Sequence, residues 1–317
     1  MSKNPLVSVI LLNFNGKDYT IDCIDSVLKS DYPKFEIVVV DNGSKDDSFP
    51  VLKNRYRNNK KVKIFRSDDP HQFAGGNNWG AVRAKGERLI FLSNDAVVDK
   101  NWIRELILFA KDHRKWVVQP KILNFKNRKI IDSVGSRYSF SGMALGGRYK
   151  EVDRGQYDRN YQVDFAAGAC FSVDKKFYLK LGGLDPWFKF HYEDADLSLR
   201  AKKLGGKCWY CYKSIVYHIG SATLNSQEIR DEIAFHARKN RLMTVIKNFS
   251  GWERVARLLT LFPIYCFLTI QDLTSPKRER KLITLGAFFA VLTKISQNRF
   301  SSGDKNSQAE SLSFTSP

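Results

Sequence analysis

The sequence predicts an α/β fold: a doubly wound, mostly parallel sheet with helices on both faces, followed by a C-terminal helical extension. Three observations carry this. Apolar strand-like runs alternate with amphipathic helical stretches through the first hundred residues, the order that builds a parallel sheet. One of those runs, FEIVVV, is almost wholly apolar and β-branched, as a strand covered on both faces has to be. After Ser221 the alternation gives way to a basic helix and two uncharged apolar stretches.

Val7–Leu12, bounded by Pro5 and Asn13, reads as the first strand. Ile21, Ile24, Val27 and Leu28 follow at helical spacing. Phe35–Val40, Val62–Phe65 and Arg88–Leu92 are the next strands, with helical segments between them. Right-handed crossovers then bring the loops at the strand carboxyl ends to one edge, where ligands bind. From Ile122 to Asp164 the pattern degrades into Gly, Ser, Tyr and charge, an irregular insertion whose most flexible part is Gly142–Tyr149. Order returns at Phe165–Val173. A helix then starts near Glu193, carries Leu197, Ala201 and Leu204 on one face, and stops at Gly205-Gly206.

This gives a first unit over 1–220, a basic and apolar helical extension over 221–300, and a Ser-rich, disordered tail over 301–317. The basic helix covers about Ser226–Asn248. Leu258–Gln271 is 14 residues without a charge, and Leu282–Thr293 is 12. A spanning helix needs about 20 apolar residues, and Pro263 interrupts the first run. Were both to span with the first unit cytosolic, the basic SPKRERK loop would face outward, against the positive-inside tendency. Helices lying in the membrane interface are the preferred reading; helices packed on the main unit are the alternative.

Of 317 residues, 43% are hydrophobic and 27% charged, which excludes a wholly disordered chain and a polytopic membrane protein. A formal charge of +19 favours anionic partners or serves solubility. No recognition motif or clustered basic stripe accompanies it, so nucleic acid is not an expected partner. Five cysteines, an odd number without framework spacing, suit a reducing compartment. Cys208 and Cys211 lie three apart in a strand-like run, hence on opposite faces, and read as structural. Lys3 followed by LVSVILL imitates a secretory signal but lacks a small-residue cleavage site, so the chain is expected to stay in the cytoplasm.

The candidate chemistry sits at strand ends. Asn13-Phe14-Asn15-Gly16 follows the first strand and Asp41-Asn42-Gly43-Ser44 the second; Asp41 can accept from a base or ribose, though the tetrapeptide is also good turn chemistry. Phe73–Gly80, with Gly75, Gly76 and Asn77, reads as a small-residue loop opening a helix. It matches neither a Walker loop nor G-x-G-x-x-G, so it serves close ligand approach or tight packing. Ser93-Asn94-Asp95 ends the fourth strand, where a carboxylate can hold a hard cation. Glu193, Asp194 and Asp196 cluster at a helix start beside aromatic residues, and Asp196 faces Arg200 four residues on. His218 follows a further apolar strand, a neutral imidazole ligand or a structural histidine.

In their order, NFNG, VDNGS, FAGGNNWG, LSNDA, GLDPWFKFHYEDADLSLR and YHIGS, these segments resemble family 2 glycosyltransferases of GT-A-type fold, and among them the rhamnosyltransferase-like branch, over about Val7 to Asn248. The resemblance implies a nucleotide-sugar half over about 1–120 and an acceptor side over about 121–220. It implies that Asp41 contacts the base, that Asn13, Asn15, Gly75, Gly76, Asn77 and Asn94 line the nucleotide, and that Asp95 with His218 binds Mg²⁺ or Mn²⁺. It assigns the catalytic base to Asp194, with Glu193 beside it. Ser93 and Asn94 depart from a full D-x-D, which weakens the expected metal affinity. The implied reaction is inverting transfer of one sugar from dTDP-rhamnose or a UDP-hexose to a glycan or polyprenyl-diphosphate-linked acceptor, in surface polysaccharide synthesis. The basic, apolar C-terminal part implies peripheral attachment to the anionic inner face of the cell membrane. A degenerate, non-catalytic module that holds a nucleotide or glycan is the alternative.

Overall fold

Strand β1 (Val7–Asn13) is buried except at half-buried Leu12, and β2 (Phe35–Asp41) is buried at all seven positions, so neither has a wet face. With β3 (Val62–Arg66) and β4 (Arg88–Ser93) they form a parallel block in the order β4-β1-β2-β3. The crossovers are helices α1 (Lys17–Leu28), α2 (Ser48–Tyr56) and α3 (Gln72–Arg83). α1 and α2 bury Cys23, Ile24, Val27, Leu52 and Tyr56 on one face, whereas α3 places Ala74 and Ala81 on the other. Each fully buried Ile, Leu or Val there contributes about 1.5–3 kcal/mol relative to exposure. The computed structural model describes residues 4–67, 72–189, 191–220, 227–275 and 282–297.

The sheet continues on the other side of β4. In chain order come β5 (Ala96–Val98), α4 (Trp102–Ala110), β6 (Trp116–Asn124), β7 (Ile131–Ser133), β8 (Arg137–Tyr138), β9 (Ala144–Leu145), β10 (Tyr161–Val163) and β11 (Cys170–Asp174). They are followed by α5 (Lys175–Lys180), a 3₁₀ turn at Pro186–Phe188, α6 (Glu193–Lys203) and β12 (Lys207–His218). The order is β10-β12-β6-β11-β4-β1-β2-β3, with β5 paired to β12 and β7 to β6; β8 and β9 form a separate hairpin. β11 runs antiparallel to β4 and β6, and β12 parallel to β6. The fold is GT-A-type: a mostly parallel sheet covered by helices on both faces.

Several expectations change in detail. Phe73–Gly80 is no loop: it lies inside α3. A Cβ on Gly76 would stand 2.4 Å from Leu12 Cδ1, and one on Gly80 2.8 Å from Ile10 Cγ2, so these glycines let α3 lie directly on β1. Ile122 belongs to β6, and the irregular region begins only after Asn124. Of Phe165–Val173, only the part from Cys170 is strand. Leu204 caps α6 and is exposed, while Leu197 and Ala201 are buried as expected. Cys208 and Cys211 are buried in the cores on opposite faces of the sheet.

Helices α7 (Gln227–Asn248), α8 (Gly251–Leu273) and α9 (Ile283–Gln297) form the extension. α7 is packed onto the first unit, where Leu242, Met243 and Val245 share a cluster with Phe188. α8 runs unbroken through Pro263, which gives up one backbone N–H but keeps a helical φ. Among the described residues it is the one helix long and apolar enough to cross a membrane, by length and composition alone. α8 and α9 bury Leu261, Ala287 and Val291 but leave Leu259, Phe262, Phe267, Ile270 and Phe289 each more than 60% exposed. The tail over 301–317 and most of the SPKRERK loop lie outside the described residues.

Candidate active site

Strand pairing assembles one cluster from three distant positions. β4 ends at Ser93, the chain turns at Asn94-Asp95, and β5 restarts antiparallel to β12 with Ala96 opposite His218. The Ile219 N–H donates to the Asp95 carbonyl at 3.0 Å, which fixes the turn. Asp95 Oδ1 therefore lies 3.2 Å from His218 Nε2. On the far side of β12, β6 carries β7 back along it, and Asp132 Oδ2 reaches His218 Nδ1 at 2.8 Å. The Ser93 hydroxyl donates to Asp95 Oδ1.

Burial works against a charged imidazole here, but hydrogen bonds to Asp132 and Asp95 outweigh it and lift the His218 pKa to about 10. Burial likewise pushes the Asp95 carboxyl up, and the His218 hydrogen bond brings it net below its ordinary value. Asp132, bound to Nδ1, would leave Nε2 as the ligating atom of a metal-bound His218, the usual outer-shell arrangement. One carboxylate oxygen and one imidazole nitrogen suit Mg²⁺ or Mn²⁺ when phosphate oxygens and water supply the rest. Among the described residues no cluster of three or more His, Cys, Asp or Glu could hold a metal.

Asp95 lines a cleft of about 290 Å³ whose walls also include Phe14, Asn15, Tyr19, Asn77, Asn94 and Gly168. Asn94 Nδ2 donates to Thr20 Oγ1 at 3.0 Å, tying the Asn94-Asp95 turn to α1. Asn15, at φ 50°, accepts from the Lys45 N–H and donates its own N–H to Ser44 Oγ. Asn77 is held to the Phe73 carbonyl within α3. Asn13 and Asp41 lie deeper. Both are fully buried, and Asn13 Nδ2 donates to Asp41 Oδ2 at 2.8 Å and to Ser44 Oγ at 3.1 Å. In this geometry they brace the two loops. Gly75 is half-buried in α3, and Gly76 faces β1.

The acidic cluster is set by strained backbone. Lys189, His191 and Tyr192 have φ of 61°, 64° and 72°, a left-handed conformation that costs non-glycine residues about 1–3 kcal/mol each. α7 holds that loop: Asn240 Nδ2 donates to the carbonyls of Phe188 and His191 at 2.8 and 2.7 Å, and Lys239 Nζ donates to the Trp187 carbonyl at 3.0 Å. Asp194 follows on the first turn of α6. Its Oδ2 accepts the Gly168 N–H at 2.8 Å and its Oδ1 the Ala195 N–H at 2.7 Å. Burial raises its pKa to about 6, and these two amides keep it from rising further. Glu193 is buried with Oε2 unpartnered; burial, then the neighbouring Asp194, pushes it well above the usual carboxylate range. Burial raises both carboxyl groups, and the amides of Gly168 and Ala195 favour the charged form of Asp194.

Asp196 has a structural part. It is wholly buried and bonded to Arg200 at 2.7 Å, Lys247 at 3.0 Å and Asn248 at 2.8 Å, and those charges outweigh burial to hold it at about 2. Sequence reasoning missed Asp132, Gly168 and Asn240. Asp132 sat in the stretch read as irregular, and the donors of Asn240 act across 52 and 49 residues. Only the small-residue run before Cys170 hinted at close approach near Gly168.

Comparison with known proteins agrees with this layout. The protein family described as Glycosyl transferase family 2 matches residues 8–182. The O-antigen biosynthesis protein RfbC of Myxococcus xanthus is 28% identical over 236 residues, 71% of this chain and 18% of RfbC. The chain spans less than half the length of the first curated relatives it matches. GalNAc-T7, solved with UDP, GalNAc and Mn²⁺, superposes with a TM-score of 0.61 at 20% identity, over 93% of this chain and 57% of that one. The mannosyltransferase PcManGT of Pyrobaculum calidifontis, solved with GDP-Man and Mn²⁺, gives 0.58 at 13% identity, over 94% and 89%. A family match across more than half the chain, on a fold that lines one cleft with Asp95, the partner of His218, and with Gly168, whose amide holds Asp194, places this protein in glycosyl transferase family 2.

Proposed function

We propose that the protein is an inverting, metal-dependent glycosyltransferase that moves one sugar from a nucleoside diphosphate donor to a glycan or lipid-linked acceptor in surface polysaccharide synthesis. The carrying observation is the pairing of Asp95 and His218 at a cleft that also exposes Gly168, the residue whose amide holds Asp194. Solved neighbours with UDP or GDP-Man and Mn²⁺ support the donor class. The O-antigen relative supports the acceptor class. By resemblance we propose dTDP-rhamnose first and UDP-hexoses next.

Asp95 and His218 would hold a divalent cation, which when bound neutralises charge building on the departing diphosphate. Asn15, Asn77 and Asn94 offer amide groups along the donor's path in the cleft. Asp194, ionised above pH about 6, accepts the acceptor hydroxyl's proton as that oxygen attacks the anomeric carbon and the diphosphate leaves from the opposite face. Glu193 stands beside the base, its carboxyl pushed up by burial and by the neighbouring Asp194 charge. The exposed apolar faces of α8 and α9, in a chain of net charge +19, support attachment to the anionic inner face of the cell membrane.

The test is transfer from each candidate donor by Asp194→Asn and Glu193→Gln. Asp194→Asn should lose most transfer, by at least about 100-fold, with nucleotide binding kept. Near-normal turnover of that variant would remove Asp194 from the base role.

A further inference from the structure

A second, larger cavity lies away from the donor cleft. It measures about 700 Å³, more than twice the donor cleft, and is an open groove bordered by the β8–β9 hairpin, the segment 146–151 and β10. Arg137, Arg148 and Arg159 line it together with Tyr149, Tyr157 and Tyr161. Two carboxylates also line it, and both are engaged. Glu151 accepts from the Tyr157 hydroxyl at 2.7 Å and lies 3.6 Å from Arg148; Asp164 accepts from the Tyr138 N–H and from Lys202. Among the described residues Arg137 and Arg159 have no carboxylate partner. All three arginines line this one cavity with Tyr161.

The groove is built and is coupled to the base. A Cβ on Gly147 would stand 1.5 Å from the Gly135 carbonyl oxygen, so two backbones in direct contact form part of its wall. Asp164 precedes Gly168 by four residues, a span of at most about 14 Å. The Ala144 N–H of β9 donates to the Tyr192 hydroxyl at 3.3 Å, one residue before Glu193. A chain lying in this groove could therefore present its end to Asp194.

We infer that this groove holds the acceptor, and that the acceptor is an acidic glycan bearing carboxylate or phosphate groups. The inference rests on the transferase reading. Tyrosine rings offer apolar faces to the C–H faces of sugars with a hydroxyl at the rim. Unpaired arginines offer the planar fork that fits a carboxylate or phosphate. A neutral glycan would leave Arg137 and Arg159 without counter-charges.

The experiment is calorimetric titration of the full chain and of Arg137→Glu/Arg159→Glu. Its probes are a galacturonate hexamer, a glycerol-phosphate oligomer, a neutral dextrin of equal length and phosphatidylglycerol vesicles. UDP and dTDP with Mn²⁺ are titrated in parallel. One acidic oligomer should bind the wild type more tightly than dextrin and weaken about tenfold or more in the variant, while nucleotide binding holds. The oligomer that responds distinguishes carboxylate from phosphate. Equal affinity in wild type and variant, no acidic oligomer bound, or a groove-dependent loss confined to the vesicles would each overturn the inference. Failure of nucleotide binding alone, with oligomer binding still dependent on the two arginines, would count against the transferase reading and leave the acidic-glycan site standing.

Discussion

At the scale of single residues, the site depends on buried carboxyl groups whose surroundings set their charge. Burial lifts Asp194 to about 6, within reach of neutral pH but still ionised there. A base has to be unprotonated, so kcat/KM should fall as pH drops through about 6 and level off above it. That limb should vanish from the residual activity of Asp194→Asn; its persistence would assign the titration to another group. In the proposed metal site Asp132 would act through His218, as a positioning residue. Asp132→Asn keeps the shape but removes the charge that fixes the imidazole, so Mn²⁺ affinity of the folded variant should drop about 10- to 100-fold. Direct metal titration checks this.

At the scale of elements, the parallel block was legible because its strands carry their own signal. Phe35–Val40 could hardly be anything but a strand covered on both faces, and all seven residues of β2 are buried. Ser93-Asn94-Asp95 and the Glu193-Asp194 turn could likewise be found as strand-end and helix-start chemistry. The convergence of Asp95, Asp132 and His218 could not be found, because it follows from the register of β5 on β12 and of β7 on β6. The glycines of α3 were misplaced as a loop because low helix propensity was overridden by close packing on β1. The part played by α7 was also hidden. Read as the start of an appendage, it is the clamp on a left-handed loop. Asn240→Asp removes both donors to Phe188 and His191, at about 1–3 kcal/mol of stability. At a temperature where it stays folded, the variant should lose about 10- to 100-fold in kcat with nucleotide affinity unchanged. Parallel losses in both would make Asn240 a general folding residue.

At the scale of the whole molecule, the protein carries two unlike surfaces, an edge of the sheet that gathers polar groups and a helical end that exposes apolar ones. Leu259→Ser/Phe262→Ser/Phe267→Ser changes only exposed positions of α8, each worth about 1.5–3 kcal/mol when buried. This variant should stay in solution where the wild type sediments with phosphatidylglycerol vesicles, and equal sedimentation would show that α8 does not bind the membrane. The central claim concerns the other surface. Thermal unfolding should be followed with dTDP, UDP, GDP and CMP, each with and without Mn²⁺, in the wild type and in Asp95→Ala. A nucleoside diphosphate at 100 times its dissociation constant stabilises by about 2.7 kcal/mol. The account predicts that one nucleotide gives such a shift only with Mn²⁺ and only in the wild type. No shift with any nucleotide, or an equal shift in Asp95→Ala, would contradict it.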